Sequence, residues 1–177
     1  YAFVIGDFND WSINEESYMN RTPDGEYYWI TIQGLIAGQE YAYQYYVDGE
    51  LKLADPYCDK VLDPWNDKWI PEENYPNLKP YPFDLTTGIV SVFQTAKLPY
   101  DWAINDFTPV AVNETQSNLI IYELLVRDFV SDRRILSVMD SLDYLKSLGI
   151  NAIELMPINE FEGNDSWGYN PSFYFAT

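Results

Sequence analysis

The sequence contains no histidine and one cysteine among its 177 residues. The single thiol, Cys58, allows no disulfide within the chain, so cysteine usage leaves the redox compartment undetermined. No run of residues is long and apolar enough to predict a membrane span. The first residue is not Met, and residues 1–5 already have the pattern of a strand. We therefore expect that the N-terminus is cut, which leaves the localisation unknown.

Basic residues are also scarce, since 10 Lys and Arg stand against 28 Asp and Glu, a formal net charge of -18. The phosphate backbone of a nucleic acid and the surface of an anionic membrane would be repelled, which argues against both as partners. An acidic surface suits neutral ligands, although solubility alone would also explain it. Hydrophobic residues make up 47% of the chain and aromatic residues 18%, enough for a packed core.

Residues 1–56 have the pattern of an all-β unit. Short strands are predicted at 1–5, 27–32, 40–47 and 51–53, and no helical period lies between them. The dipeptide Asp48-Gly49 joins the last two, and it is a strong signal for a β-hairpin. Strands at this spacing favour an antiparallel sandwich.

Residues 57–116 are rich in proline and aromatic side chains. Flexible linkers are Gly/Ser-rich and lack aromatics, so we interpret this stretch as an ordered strap whose aromatics pack against neighbouring domains. A glycan-binding platform is the alternative for these aromatics. Residues 88–95 predict a last strand of the sandwich.

Residues 117–177 change to an alternation of strands and helices. The apolar run 119–126 predicts a strand, the apolar residues from Ile135 to Leu148 recur at helical spacing, and Gly149 is suited to a helix C-cap. The second apolar run, 150–156, predicts a parallel strand that is covered on both faces. Ligands of α/β folds bind beyond the carboxyl ends of such strands, which directs attention to residues 167–171.

Three segments, 121–129, 149–157 and 167–171, resemble the start of the (β/α)8 barrel in the α-amylase family, glycoside hydrolase family 13. Residues 6–11, 45–49 and 54–56 resemble the family-48 carbohydrate-binding modules that precede such barrels. The predicted fold class is therefore an all-β immunoglobulin-like sandwich followed by the truncated start of an α/β TIM barrel. The expected domains are 1–56, 57–116 and 117–177.

The resemblance implies a retaining enzyme that acts on α-glucans such as starch or glycogen, either a hydrolase or a branching transferase. In the family, the catalytic carboxylates follow barrel strands four and five, in motifs that include histidine. We therefore expect no catalytic residue in this chain and no activity from it alone. No cofactor is predicted, and calcium in a longer parent enzyme cannot be assigned to residues here. A glycan-binding module without catalysis and a catalytically dead interaction protein are the alternatives.

Tyr169 is the main candidate for substrate binding. In the family, the tyrosine of this loop stacks on the glucose ring beside the scissile bond, where an aromatic face suits the C–H face of a sugar. Trp167 and Asn170 are further candidates that could instead only shape the loop. A packed loop aromatic is the alternative for Tyr169.

Trp11 matches a glucose-stacking position of the family-48 modules, and an indole packed in the core is the alternative. Gln44 stands where binding-competent modules have Lys, and Leu51 where they have a second Trp, which weighs against glycan binding at that site. In the barrel-like part, Glu123, Arg127 and Asp128 are interpreted as ion-pairing residues at the end of a strand, and a functional acid–base pair is the alternative. A solvated loop beyond Pro157 is predicted for Glu160, Glu162, Asn164 and Asp165, and contact with sugar hydroxyls is the alternative.

Overall fold

The computed structural model describes residues 1–103 and 118–177. The chain forms two compact units. The first contains Tyr1–Lys97, Asn159–Asn164 and Pro171–Thr177, and the second contains Leu98–Ile158 and Asp165–Asn170. The boundary that the sequence predicts at residues 116 and 117 lies outside the described residues. The described chain consists mostly of strands with a few short helices.

The strands of the first unit are β1 Ala2–Gly6, β2 Asn20–Arg21, β3 Tyr28–Trp29, β4 Glu40–Val47, β5 Leu51–Leu53, β6 Val61–Leu62 and β7 Val90–Gln94. Five of them form one antiparallel sheet in the order β1-β4-β7-β6, with β5 beside β4. Strands β2 and β3 pair separately. Strand β6 lies in the predicted strap and was not anticipated, because two apolar residues give too short a signal.

The predicted hairpin at Asp48-Gly49 is confirmed. Asp48 and Gly49 both have positive φ angles, 52° and 78°, and the Glu50 amide donates to the Val47 carbonyl at 3.1 Å. Asp and Gly tolerate this left-handed backbone, which matches the twist of the flanking strands.

Both faces of β4 are covered, because its side chains alternate between two apolar clusters. Ala42 joins one cluster, and Tyr43 joins the other. The buried members of the first are Ile5, Trp11, Ala42, Leu62, Val90 and Val92. Those of the second are Ala2, Val4, Met19 and Tyr43.

The first unit also contains a hairpin made of β10 Glu160–Phe161 and β11 Pro171–Phe173. Phe173 and Ala176 pack against Cys58 and Val61, and the Glu160 amide donates to the Ala176 carbonyl at 2.9 Å. The hairpin is therefore docked beside β6 by apolar contacts.

The second unit has two parallel strands, β8 Ile121–Leu124 and β9 Ala152–Leu155, with helices α1 Val126–Phe129, α2 Ile135–Met139 and α3 Leu142–Ser147 between them. This confirms the predicted strand–helix–strand order and the left-handed Gly149 after the last helix (φ 86°). The predicted helical stretch is split between α2 and α3. There the Ser141 hydroxyl donates to the Ser137 carbonyl, a bond that competes with regular helix.

The expectation that the second strand is covered on both faces was wrong for the described residues. Ile153 is 36% exposed, Leu155 is 42% exposed, and Ile121 on the neighbouring strand is 55% exposed. One small cluster around Leu124, Val138 and Leu145 covers a single side of the pair. In the parallel register, Ile153 and Leu155 lie on the same side as Leu124, whereas Ile121 lies on the other side with Glu123 and Glu154. Exposed apolar side chains are therefore present on both sides of the pair.

Candidate functional site

The candidate site of the second unit lies where the loop Asp165–Asn170 meets strand β8. The Tyr169 hydroxyl donates to Glu123 Oε1 at 2.7 Å. Glu123 stands beside Glu154 in the parallel register. The hydrogen bond to Glu123 raises the pKa of Tyr169, and the charge of Glu154 acts in the same direction. The phenol therefore stays protonated and its ring direction is fixed by the bond to the strand.

Gly168 fixes how the loop turns just before Tyr169. Its φ is 89°, and a Cβ at this position would overlap the carbonyl oxygen of Pro157, which lies two residues beyond the end of β9. The Gly168 amide donates to the Ser166 Oγ at 3.0 Å, and the Ser166 hydroxyl donates to the side-chain oxygen of Asn170. Asn170 thus closes the loop on itself, which fits the loop-shaping alternative for this residue.

Arg127 anchors the other end of the loop. It forms ion pairs with Asp128 and with Asp165, and it donates to the Ser166 carbonyl at 3.1 Å. The bond to Asp128 raises the pKa of Arg127, so the guanidinium stays charged. The predicted ion-pair role is confirmed for Arg127 and Asp128, but Glu123 accepts a hydrogen bond from Tyr169 instead. The bond from Arg127 to a loop 38 residues away had no signal in the sequence.

Two aromatic rings of this loop remain available to a ligand. Tyr169 is 61% exposed and Trp167 is 66% exposed. Only the edge of Tyr169 that carries the hydroxyl is held, and the ring face is free to stack on a sugar. The two exposed carboxylates of β8 and β9 are acceptors for sugar hydroxyls. The site can therefore bind a neutral, hydroxyl-rich ring by stacking and hydrogen bonding.

Trp11 is in a different environment from Tyr169. It is 7% exposed in the core of the first unit, and its indole N–H donates to the Asp7 carboxylate at 3.1 Å. The other carboxylate oxygen of Asp7 accepts from the Ala42 amide at 2.8 Å. A ring enclosed in this way cannot offer a face to a sugar, so the structure favours the core-packing alternative for Trp11.

Gln44 and Leu51, which stand where binding-competent modules have Lys and Trp, lie in different environments. Gln44 is fully buried, and its amide nitrogen donates to the carbonyls of Thr87 and Ile89 at 3.0 and 2.7 Å. Leu51 is 54% exposed at the edge of the sheet. Gln44 therefore serves to hold the segment that leads into β7.

Glu160 corrects the expectation of a solvated loop after Pro157. It lies half-buried on β10, and burial together with the nearby Asp67 and Asp63 raises the pKa of Glu160 to about 7. Asp63 and Asp67 are held by local bonds, such as the Trp65 amide on Asp63 at 2.7 Å and the Asp63 amide on Asp67 at 2.9 Å. Among residues 1–103 and 118–177, no three acidic or cysteine side chains are placed to hold a metal ion.

No helix in the described part of the chain is long and apolar enough to cross a membrane. No family model matches the sequence.

Curated relatives do match nearly all of it. A malto-oligosyltrehalose trehalohydrolase of Saccharolobus solfataricus is 27% identical over 164 residues, which cover 93% of this chain and 24% of the relative. A 1,4-alpha-glucan branching enzyme GlgB of Bacillus subtilis is 29% identical over 183 residues, which cover 98% of this chain and 25% of that enzyme.

Another relative matches a shorter part of the chain with higher sequence identity. A malto-oligosyltrehalose trehalohydrolase of a Rhizobium species is 42% identical over 57 residues, 32% of this chain and 10% of the relative. The chain spans about a quarter of the length of the two relatives that match it from end to end.

Proposed function

We propose that the chain is part of an enzyme of the α-amylase family, glycoside hydrolase family 13, that hydrolyses or transfers α-glucans. The observation that carries the proposal is that two relatives match nearly the whole chain, one named for malto-oligosyltrehalose and the other for 1,4-alpha-glucan. Hydrolysis and branching transfer are both compatible with the residues present.

In this proposal the parallel pair β8 and β9 is the start of the catalytic barrel. Its support is the parallel register from Ile121↔Ala152 to Leu124↔Leu155, together with the exposed apolar side chains of Ile121, Ile153 and Leu155. The strands of a complete barrel are covered on both sides, by the barrel interior and by the outer helices. The antiparallel sheet of the first unit would then correspond to the module that precedes the barrel.

Tyr169 has the proposed role of holding a glucose ring beside the scissile bond. Its hydroxyl is fixed by Glu123, so the ring is oriented before the substrate arrives. An aromatic ring that is already oriented stabilises the transition state more than a mobile ring, because no conformational entropy of the side chain is lost during the reaction. The cleavage itself needs two carboxyl groups about 5 Å apart, which the family resemblance assigns to later barrel strands.

The test uses the enzyme translated from the whole open reading frame, assayed on maltoheptaose and on amylose. Tyr169→Ala should lower turnover at least roughly tenfold and leave the melting temperature nearly unchanged, since the side chain is exposed. Trp69→Ala, which removes another aromatic ring that is 66% exposed, is the matched control and should leave turnover unchanged. Equal turnover in wild type and Tyr169→Ala would refute the proposed role.

A further inference from the structure

The outward face of the β2–β3 hairpin carries two aromatic side chains that pack on no core. Asn20 pairs with Trp29 in the antiparallel register, and the pairing continues as the Thr22 amide donates to the Tyr27 carbonyl at 2.9 Å. Side chains directly opposite each other project to the same side of a sheet, as do residues two apart. Asn20, Thr22, Tyr27 and Trp29 therefore share one face, which we call the hairpin face.

The opposite face of the same hairpin packs against the core of the first unit. Met19 is 8% exposed in the second core cluster, and Ile30 and Ile32 pack against that cluster. Because inward and outward residues alternate, the hairpin face points away from the core. Tyr27 is 65% exposed and Trp29 is 53% exposed.

The size of the hairpin face favours a small or chain-like ligand over a protein. Two aromatic side chains bury at most roughly 500 Å² together, whereas a stable protein interface buries about 800 Å² on each partner. The net charge of -18 disfavours anionic polymers. The remaining ligand class is a neutral molecule with flat apolar faces and polar edges.

The polar side chains of the hairpin face fit the edges of a sugar. The Asn20 side chain makes no hydrogen bond to any other described residue, so its amide is available as donor and acceptor. The two rings lie two residues apart on an extended strand, which separates them by about 7 Å, a distance that neighbouring sugar rings of one chain can span. An amide beside two aromatic faces can therefore bind hydroxyls while the rings stack on C–H faces.

We propose that the hairpin face is a glycan-binding site, at which Tyr27 and Trp29 stack on an α-glucan chain and Asn20 binds its hydroxyls. The choice of an α-glucan rests on the proposed function. The site is separate from the positions of Trp11, Gln44 and Leu51, and it does not use Tyr169. Its role is to hold the polymer on the first unit.

The test is calorimetric titration of the 177-residue chain with maltoheptaose. Trp29→Ala should raise the Kd at least roughly tenfold, and Asn20→Ala roughly threefold to tenfold, since they remove one stacking ring and one hydrogen-bonding side chain. Trp65→Ala removes another exposed tryptophan of the first unit and should leave the Kd unchanged. Circular dichroism of each variant checks that the fold is retained.

Three outcomes would overturn the inference. Wild-type affinity in Trp29→Ala with affinity lost in Tyr169→Ala would place binding at the loop site and leave the proposed function intact. A wild-type chain that does not bind maltoheptaose would also overturn it, while turnover by the longer enzyme tests the proposed function separately. Sedimentation that shows a dimer in wild type and a monomer in Trp29→Ala would assign the hairpin face to self-association.

Discussion

Glu160 makes the docking of the β10–β11 hairpin sensitive to pH. Its pKa is raised from an ordinary 4.5 to about 7 because burial and the carboxylates of Asp67 and Asp63 disfavour the charged form. The folded hairpin therefore holds a proton that the undocked hairpin releases. The stability of docking is greatest below pH 4.5, falls as the pH rises towards 7, and is level above that.

The size of this effect follows from the two pKa values. At about 1.36 kcal/mol for each pH unit, the difference sets an upper limit of about 3.4 kcal/mol. Glu160 is only half-buried, so water screens part of the interaction, and we expect about 1–2 kcal/mol. Glu160→Gln keeps the shape and cannot ionise, so it should stabilise docking by that amount at pH 8 and by almost nothing at pH 4.5.

Hydrogen exchange of the backbone amides in residues 159–164 and 171–177 measures docking directly, after correction for the intrinsic pH dependence of exchange. The Glu160 amide is a useful reporter, because it donates to the Ala176 carbonyl in the docked hairpin. Glu162→Gln is the matched control, since Glu162 is exposed in the same segment. Equal effects of Glu160→Gln at both pH values, or an equal effect of the control, would refute this explanation.

Two further substitutions test the loop and the core. Gly168→Ala combines a positive φ, which costs roughly 1–2 kcal/mol, with overlap on the Pro157 carbonyl, so it should displace the loop. NMR titration should then show the pKa of Tyr169 falling towards its ordinary value, and an unchanged titration would contradict the described turn. Leu62→Ala should lower the free energy of unfolding by about 2–5 kcal/mol in urea, because Leu62 is fully buried. Leu53→Ala, at a side chain that is 46% exposed, should cost less than about 1 kcal/mol, and equal costs would contradict the described core.

Local sequence patterns were sufficient for several elements of the fold. Asp48-Gly49 specifies a turn through the backbone angles that these two residues tolerate, and β4 has the bounds 40–47 that the sequence predicts. The parallel pair was predictable because two apolar runs flank a helical period and Gly149 ends it. Such features depend on neighbours in the chain.

Features that depend on distant residues were not predictable. Glu160 is buried near Asp63 and Asp67, almost 100 residues earlier, and no local pattern reveals that proximity. The bond between Tyr169 and Glu123 also joins residues 46 positions apart. The apolar run 150–156 led to the expectation that the parallel pair is covered. An apolar run does not show which residues will cover it, so the exposure of these side chains was not predictable.

The central claim is that this chain is part of a retaining enzyme of α-glucan metabolism. The most direct measurement is ¹H NMR of maltoheptaose during its first minutes with the enzyme translated from the whole open reading frame. We predict that new products appear first with the α-anomeric configuration, as a covalent glycosyl-enzyme requires. Products that appear first as the β-anomer, or a sugar that stays unchanged with amylose and maltoheptaose alike, would contradict the account.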